Sequence, residues 1–139
     1  MKKKQVIDKY IEPIFSSGTI YIIKNMDVDY LAKRFNYKCA TNDEFKQDLI
    51  ESKDSSEGTT CYYVVENSTG LYVILILLNP KFLYKKPEII NLMAHESLHA
   101  AFRMLDLNSI SLDSSTNELF ANLVGWITEC CYKTYFNVK

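Results

Sequence analysis

The stretch His95-Glu96-Ser97-Leu98-His99 contains both histidines of the 139-residue chain. On an α-helix, positions i and i+4 lie about 40° apart around the axis, so both imidazoles can reach one metal ion from one face, with Glu96 beside it. This spacing is the HExxH pattern of zinc sites, in which the metal lowers the pKa of a bound water to about 7 and the carboxylate takes its proton. The stretch therefore predicts a helical zinc site, with Glu96 as the general base of a hydrolytic reaction.

A third metal ligand must come from elsewhere in the chain, because a catalytic zinc usually takes three protein ligands and leaves a fourth position for water. With both histidines used, this ligand must be a carboxylate or a thiolate. Glu118 is favoured, since it opens an apolar-rich segment, residues 118–127, that indicates a second helix, and the nineteen positions after His99 leave room for a turn. The alternatives downstream are Asp106, Asp113, Glu129, Cys130 and Cys131.

The motif and the second helix together resemble a known family. HExxH followed by Glu118-x-x-Ala121-Asn122 is similar to the gluzincin zinc metallopeptidases, most closely the small ImmA/IrrE-type members often carried by phages and mobile elements. The resemblance covers residues 93–126. It implies that His95, His99 and Glu118 bind Zn²⁺, that Glu96 is the catalytic base, and that Asn122 steadies a ligand histidine.

One departure from the family pattern concerns the oxyanion. Many gluzincins stabilise the tetrahedral oxyanion with a further histidine, and this chain has none. Tyr132, on the Glu118 side of the second helix, and Arg103, one turn after His99, are the candidate transition-state stabilisers, and among the ten tyrosines Tyr63, Tyr84 and others are equally free to serve. Gly125 lies on the same side of the second helix as Glu118 and Tyr132. A glycine inside a helix costs about 1 kcal/mol of stability relative to alanine. Its presence indicates either that the first helix packs closely against this position or that the helix simply tolerates the glycine.

Two simpler interpretations stay open. In the first, residues 87–105 form an ordinary amphipathic surface helix, because Glu96, Arg103 and the histidines fall within one polar stripe about 140° wide. In the second, Ser115 and Glu118 form a capping box at the start of the second helix, which would explain Glu118 without a metal.

Composition and charge restrict the class of protein. Sixteen basic and seventeen acidic residues leave a net charge of −1, which gives no general signature of nucleic-acid binding. The longest apolar run, residues 71–78, is far short of the roughly 20 residues that span a bilayer, and no signal-peptide core is present. The four cysteines lack CxxC spacing and are expected to be reduced core thiols. We expect a cytoplasmic protein without nucleic-acid or membrane partners.

The pattern along the chain predicts a single α+β domain over residues 1–139. Helical spacing indicates helices over residues 6–14, 27–35 and 42–51, and a strand is expected over 19–23. Residues 52–60 form a polar, mobile connection, and residues 61–65 and 71–78 form a hairpin around Asn67-Ser68-Thr69-Gly70. Two closing helices follow. Together with the motif, this predicts a zincin-like domain with a small, mostly antiparallel sheet.

The predicted function is a zinc-dependent metallopeptidase that hydrolyses a peptide bond with a metal-activated water. Its partner would be a protein or peptide substrate, and an exposed sheet edge could hold that substrate as an added strand. The alternative is a catalytically silent zinc-binding regulatory or interaction protein of phage or mobile-element origin. A third possibility is a structural helical surface without metal.

Overall fold

The computed structural model describes residues 3–38 and 40–139, and at position 62 the backbone alone. The described elements are, in chain order, β1 (Val6–Ile11), β2 (Thr19–Lys24), α1 (Val28–Arg34), β3 (Phe35–Tyr37), α2 (Asn42–Ser55), β4 (Gly58–Glu66), β5 (Tyr72–Leu78), a 3₁₀ turn (Pro80–Phe82), α3 (Lys86–Leu107) and α4 (Asn117–Phe136).

The strands form one mixed sheet in the order β1-β2-β5-β4-β3. The pairs β1/β2, β5/β4 and β4/β3 are antiparallel, and β2/β5 is parallel. The predicted α+β class is therefore confirmed, and the sheet is mainly antiparallel, with one parallel pair at its centre.

Helices cover both faces of the sheet. Residues of α3 and α4 pack with one side of β2 and β5, including Ile22 and Ile76, whereas residues of α1 and α2 pack with the other side, including Ile23 and Leu77. A strand that is buried on both faces is apolar along its whole length rather than at alternate positions. This explains the unbroken apolar run of β5.

The N-terminal segment differs from the prediction, because residues 6–11 form β1 and not a helix. In so short a segment the apolar residues fit both the helical period of 3.6 residues and the strand period of two. Strand pairing decides the outcome, because all six residues of β1 pair with β2. The connection is closed by a hydrogen bond from the Glu12 N–H to the Gly18 carbonyl at 2.9 Å. A Cβ on Gly18 would lie only 2.4 Å from the Glu12 carbonyl oxygen, so this turn requires glycine.

The polar segment after residue 51 is also more regular than predicted. Helix α2 continues to Ser55, and β4 already begins at Gly58, so residues 52–60 are not an irregular connection. The buried residues of α2 are Phe45 and Leu49, and the apolar pattern therefore stops before the helix does. The hairpin, the strand β2 and the remaining helices lie where the sequence predicts them.

The state of the cysteines and the apolar length of the helices were both predicted from the sequence. Cys61, Cys130 and Cys131 are free, buried thiols, as expected, and Cys39 lies outside the described residues. None of the described helices is both long enough and apolar enough to cross a membrane.

Candidate metal centre

The two histidines lie side by side on α3, where His95 is exposed and His99 is half-buried. Their Nε2 atoms are 3.2 Å apart and their ring centroids 4.8 Å apart. Two imidazole nitrogens bound to one tetrahedral zinc at 2.0–2.1 Å would be about 3.3 Å apart. The separation of His95 and His99 therefore fits two ligands of a single zinc ion.

Glu96 turns away from solvent, towards the sheet. Its side chain is only 6% exposed, and one carboxylate oxygen accepts a hydrogen bond of 2.6 Å from the Thr60 hydroxyl on β4. That hydroxyl also lies 3.1 Å from the Glu96 carbonyl oxygen. The carboxylate is therefore held in one orientation, on the side of α3 that packs against β4.

The burial of α3 departs from that of an ordinary amphipathic surface helix at two positions of its polar stripe. On such a helix the charged stripe would face water, but Glu96 and Arg103 are buried while Leu98 and Phe102 are 40% and 45% exposed. A charged side chain is rarely buried without a specific partner. The pattern of α3 is better explained by a site between this helix and β4.

The strand next to Glu96 has an open edge. β3 pairs with residues 64–66 of β4, so that residues 58–61 pair only with β5 among the described strands. At Gly58 the strand approaches α3 so closely that a Cβ would lie 2.9 Å from Leu92. A cavity of about 650 Å³ opens beside this edge, with Tyr37, Asp48, Glu51, Ser52, Thr59 and Thr60 among its lining residues.

Glu118 is exposed in the first turn of α4. The rings of Phe102 and Phe120 are 4.7 Å apart, so this turn packs against the part of α3 that follows His99. Nevertheless, no group of three or more His, Cys, Asp or Glu side chains within residues 3–38 and 40–139 is arranged to hold a metal. The structure thus brings together two of the three predicted ligands, and Glu118 as the third stays a prediction.

The capping box does not account for Glu118. The N-cap residue of α4 is Thr116, which makes no side-chain cap hydrogen bond, and the Ser115 hydroxyl instead donates to Asp113 at 2.6 Å. Within the described part of the chain, Glu118 makes no hydrogen bond or ion pair. Its carboxylate can therefore reorient without breaking a hydrogen bond or an ion pair.

The alternative third ligands are all engaged or buried. Asp106 pairs with Arg103 and Glu129 with Lys133, while hydrogen bonds from the Ser115 and Thr116 region lower the pKa of Asp113. Burial raises the pKa of the thiols of Cys130 and Cys131 to about 12, which opposes the thiolate form that binds zinc. These contacts favour Glu118 over its competitors.

The other predicted residues of α4 lie on its open side or near its end. Asn122 is exposed one turn after Glu118, and its contact with a ligand histidine stays a prediction. A Cβ on Gly125 would meet no described atom within 4 Å, so the interpretation of close packing is wrong and the glycine is simply tolerated. Tyr132 contacts Phe136 and Lys86, nine positions before His95, and is not brought to the histidine pair.

Arg103 lies on the Glu96 side of α3 and is 7% exposed. Its Nη1 donates to Asp106 at 2.8 Å, and its guanidinium carbon lies 4.1 Å from the centre of the Tyr63 ring. The cation is therefore engaged on two sides, and it supports an aromatic side chain of β4 rather than an open position next to the histidines.

Thr60 is the site residue that sequence reasoning missed. It belongs to the segment predicted as a mobile connection, and no motif marks it. The β-branched pair Thr59-Thr60 immediately before an apolar strand was the available signal, because such residues favour strands. Only the packing of β4 on α3 brings its hydroxyl to Glu96.

Loss of the Thr60 hydroxyl should destabilise the fold. Thr60→Val keeps the shape but removes the hydrogen bond to a buried carboxylate, and we expect the free energy of unfolding to fall by about 1–3 kcal/mol. Urea denaturation of the parent, Thr60→Val and Thr60→Ser measures this, with the serine variant close to the parent. Thr59→Val is the matched control, since among the described residues that hydroxyl hydrogen-bonds only to the hydroxyls of Ser52 and Ser56. Equal losses in both valine variants would contradict a special contact at Glu96.

Comparisons with known proteins add no family assignment, as no protein-family model, curated protein or solved structure gives a significant match to this chain.

Proposed function

We propose that this protein is a zinc-dependent metallopeptidase with a zincin-like arrangement of helix and edge strand. The observation that carries the proposal is the histidine pair with a nitrogen separation of 3.2 Å, next to a buried glutamate that Thr60 holds in place. A hydrolase that uses a metal-activated water needs these two features together: a pair of neutral nitrogen donors and a fixed base beside them.

His95 and His99 are the proposed zinc ligands on α3, and Glu118 is the proposed third ligand from α4. When bound, zinc would supply acidification of a water and polarisation of the substrate carbonyl. Glu96 would take the proton from the water and pass it to the leaving amine. Its hydrogen bond to Thr60 supports this role, because it fixes one carboxylate oxygen and leaves the other able to accept the proton.

The open edge of β4 supports a peptide as the substrate class. An extended peptide can add to an unpaired edge through main-chain hydrogen bonds, which recognise any sequence. Residues 58–61 provide such an edge on the strand that carries Thr60, so a peptide paired there would pass next to Glu96. The adjoining cavity has room for a substrate side chain.

The test is an unbiased search for cleavage. Purified protein is incubated with a cell lysate, and newly formed peptide ends are compared between zinc-loaded protein, chelated protein and chelated protein restored with zinc. We expect new ends that disappear on chelation and return with zinc. Zinc-loaded protein that produces no new ends in several lysates would contradict the peptidase and favour the catalytically silent zinc-binding regulator.

A further inference from the structure

The backbone at Tyr63 adopts a conformation that a bulky residue rarely takes. Its φ is +54°, in the left-handed region, where the aromatic side chain is disfavoured. The residue lies in β4 where the pairing with β5 shifts register between Cys61 and Val64. Bulges of this kind redirect a side chain, and backbone strain in proteins is concentrated at functional sites.

The surrounding structure holds Tyr63 at two points. The Lys38 N–H donates to the Tyr63 carbonyl at 2.8 Å, and the buried Arg103 guanidinium supports the ring from below. Arg103 is in turn fixed by Asp106. The Tyr63 side chain is nevertheless 60% exposed, so this arrangement buries little of the ring. These contacts instead hold the exposed phenol in a defined position.

That position is on the side of α3 where Glu96 lies. Along β4, Thr60 contacts Glu96 and Tyr63 contacts Arg103, so the strand follows the helix past the site. His99 lies between these two contacts along α3, about 6 Å of helix rise before Arg103. Tyr63 also lines the cavity beside the open edge of β4. A peptide bound along that edge would therefore pass beside both Thr60, which contacts Glu96, and the Tyr63 ring.

We propose that the Tyr63 hydroxyl is the oxyanion donor of the site and that Arg103 is a positioning residue for its ring. The proposal rests on the peptidase function above. As the water oxygen bonds to the scissile carbon, the carbonyl π pair moves onto the carbonyl oxygen, and Glu96 receives the proton of the water. Tyr63 donates a hydrogen bond to that oxygen without losing its own proton, a task for which the chain has no third histidine.

The test compares Tyr63→Phe with the parent on a synthetic peptide copied from a cleavage site found in the lysate search. The variant keeps the ring over Arg103 and loses only the hydroxyl, so kcat should fall about 10²- to 10³-fold while zinc content and the thermal unfolding midpoint stay unchanged. Tyr84→Phe is the control, since Tyr84 is 80% exposed. This variant is expected to cleave the peptide at the parent rate. Parent-like turnover in Tyr63→Phe would overturn the assignment.

The positioning role has its own readout. Arg103→Met keeps an apolar stem beneath the ring and removes the cation, and it should lower kcat in the parent background. In a Tyr63→Phe background the same change should lower kcat little further, because it acts through the hydroxyl that is already gone. Additive losses would overturn the positioning role. If the zinc-loaded parent cleaves nothing, the peptidase function fails and Tyr63 fails with it, whereas equal cleavage by parent and Tyr63→Phe rejects Tyr63 alone.

Discussion

Glu96→Gln should lower peptide hydrolysis by about 10²- to 10⁴-fold, because an amide cannot take the proton of the attacking water. The substitution is nearly isosteric, and the amide oxygen can still accept the Thr60 hydrogen bond at this buried position. Zinc content and the thermal unfolding midpoint should therefore stay close to those of the parent. The measurement is kcat/KM on the synthetic peptide, with metal content determined on the same samples.

Glu88→Gln is the matched control for this change. Glu88 is an exposed carboxylate in the first turn of the same helix α3, and its loss should leave the rate unaltered. A zinc-loaded Glu96→Gln protein that cleaves as fast as the parent would reject the general base. A large fall in stability would instead show that Glu96 serves mainly as the partner of Thr60.

The sequence predicts the helices of the site better than its strands. The spacing of His95 and His99 fixes both their helix and their common face, and the apolar run after Glu118 identifies α4. Periodicity could not separate strand from helix at residues 6–11, where pairing with β2 decides the outcome. Nor could it place Thr60 or Tyr63, because their roles depend on the distance between β4 and α3.

Burial is the second property that the sequence could not provide. The helical stripe correctly groups Glu96 and Arg103 with the histidines, yet it makes all of them surface residues. The sheet on one side of α3 covers Glu96 and Arg103, whereas His95 is exposed and His99 is half-buried. A buried carboxylate beside two more exposed imidazoles distinguishes this part of α3 from a polar helix surface, and this arrangement requires the tertiary fold.

Loss of a zinc ligand is the other change with a large expected effect. His95→Ala, His99→Ala and Glu118→Ala should each weaken zinc binding by more than the roughly 10- to 100-fold typical of changes in residues that only support the ligands. Competition with a chromophoric chelator measures the affinity of each variant. Chelation of the parent should also lower its melting temperature, because an ion bound only by the folded chain stabilises it by mass action.

The decisive comparison is between Glu118 and the other carboxylates near it. Glu129→Ala removes an exposed acid of the same helix α4 that already pairs with Lys133, and Asp113→Ala removes the acid whose Oδ1 accepts a hydrogen bond from the Ser115 hydroxyl. Both variants should bind zinc as the parent does. If instead Asp113→Ala loses zinc and Glu118→Ala keeps it, the third ligand comes from the loop before α4. If only the histidine variants lose zinc, the site takes its remaining ligands from outside these side chains, and the likeness to gluzincins ends at the HExxH helix.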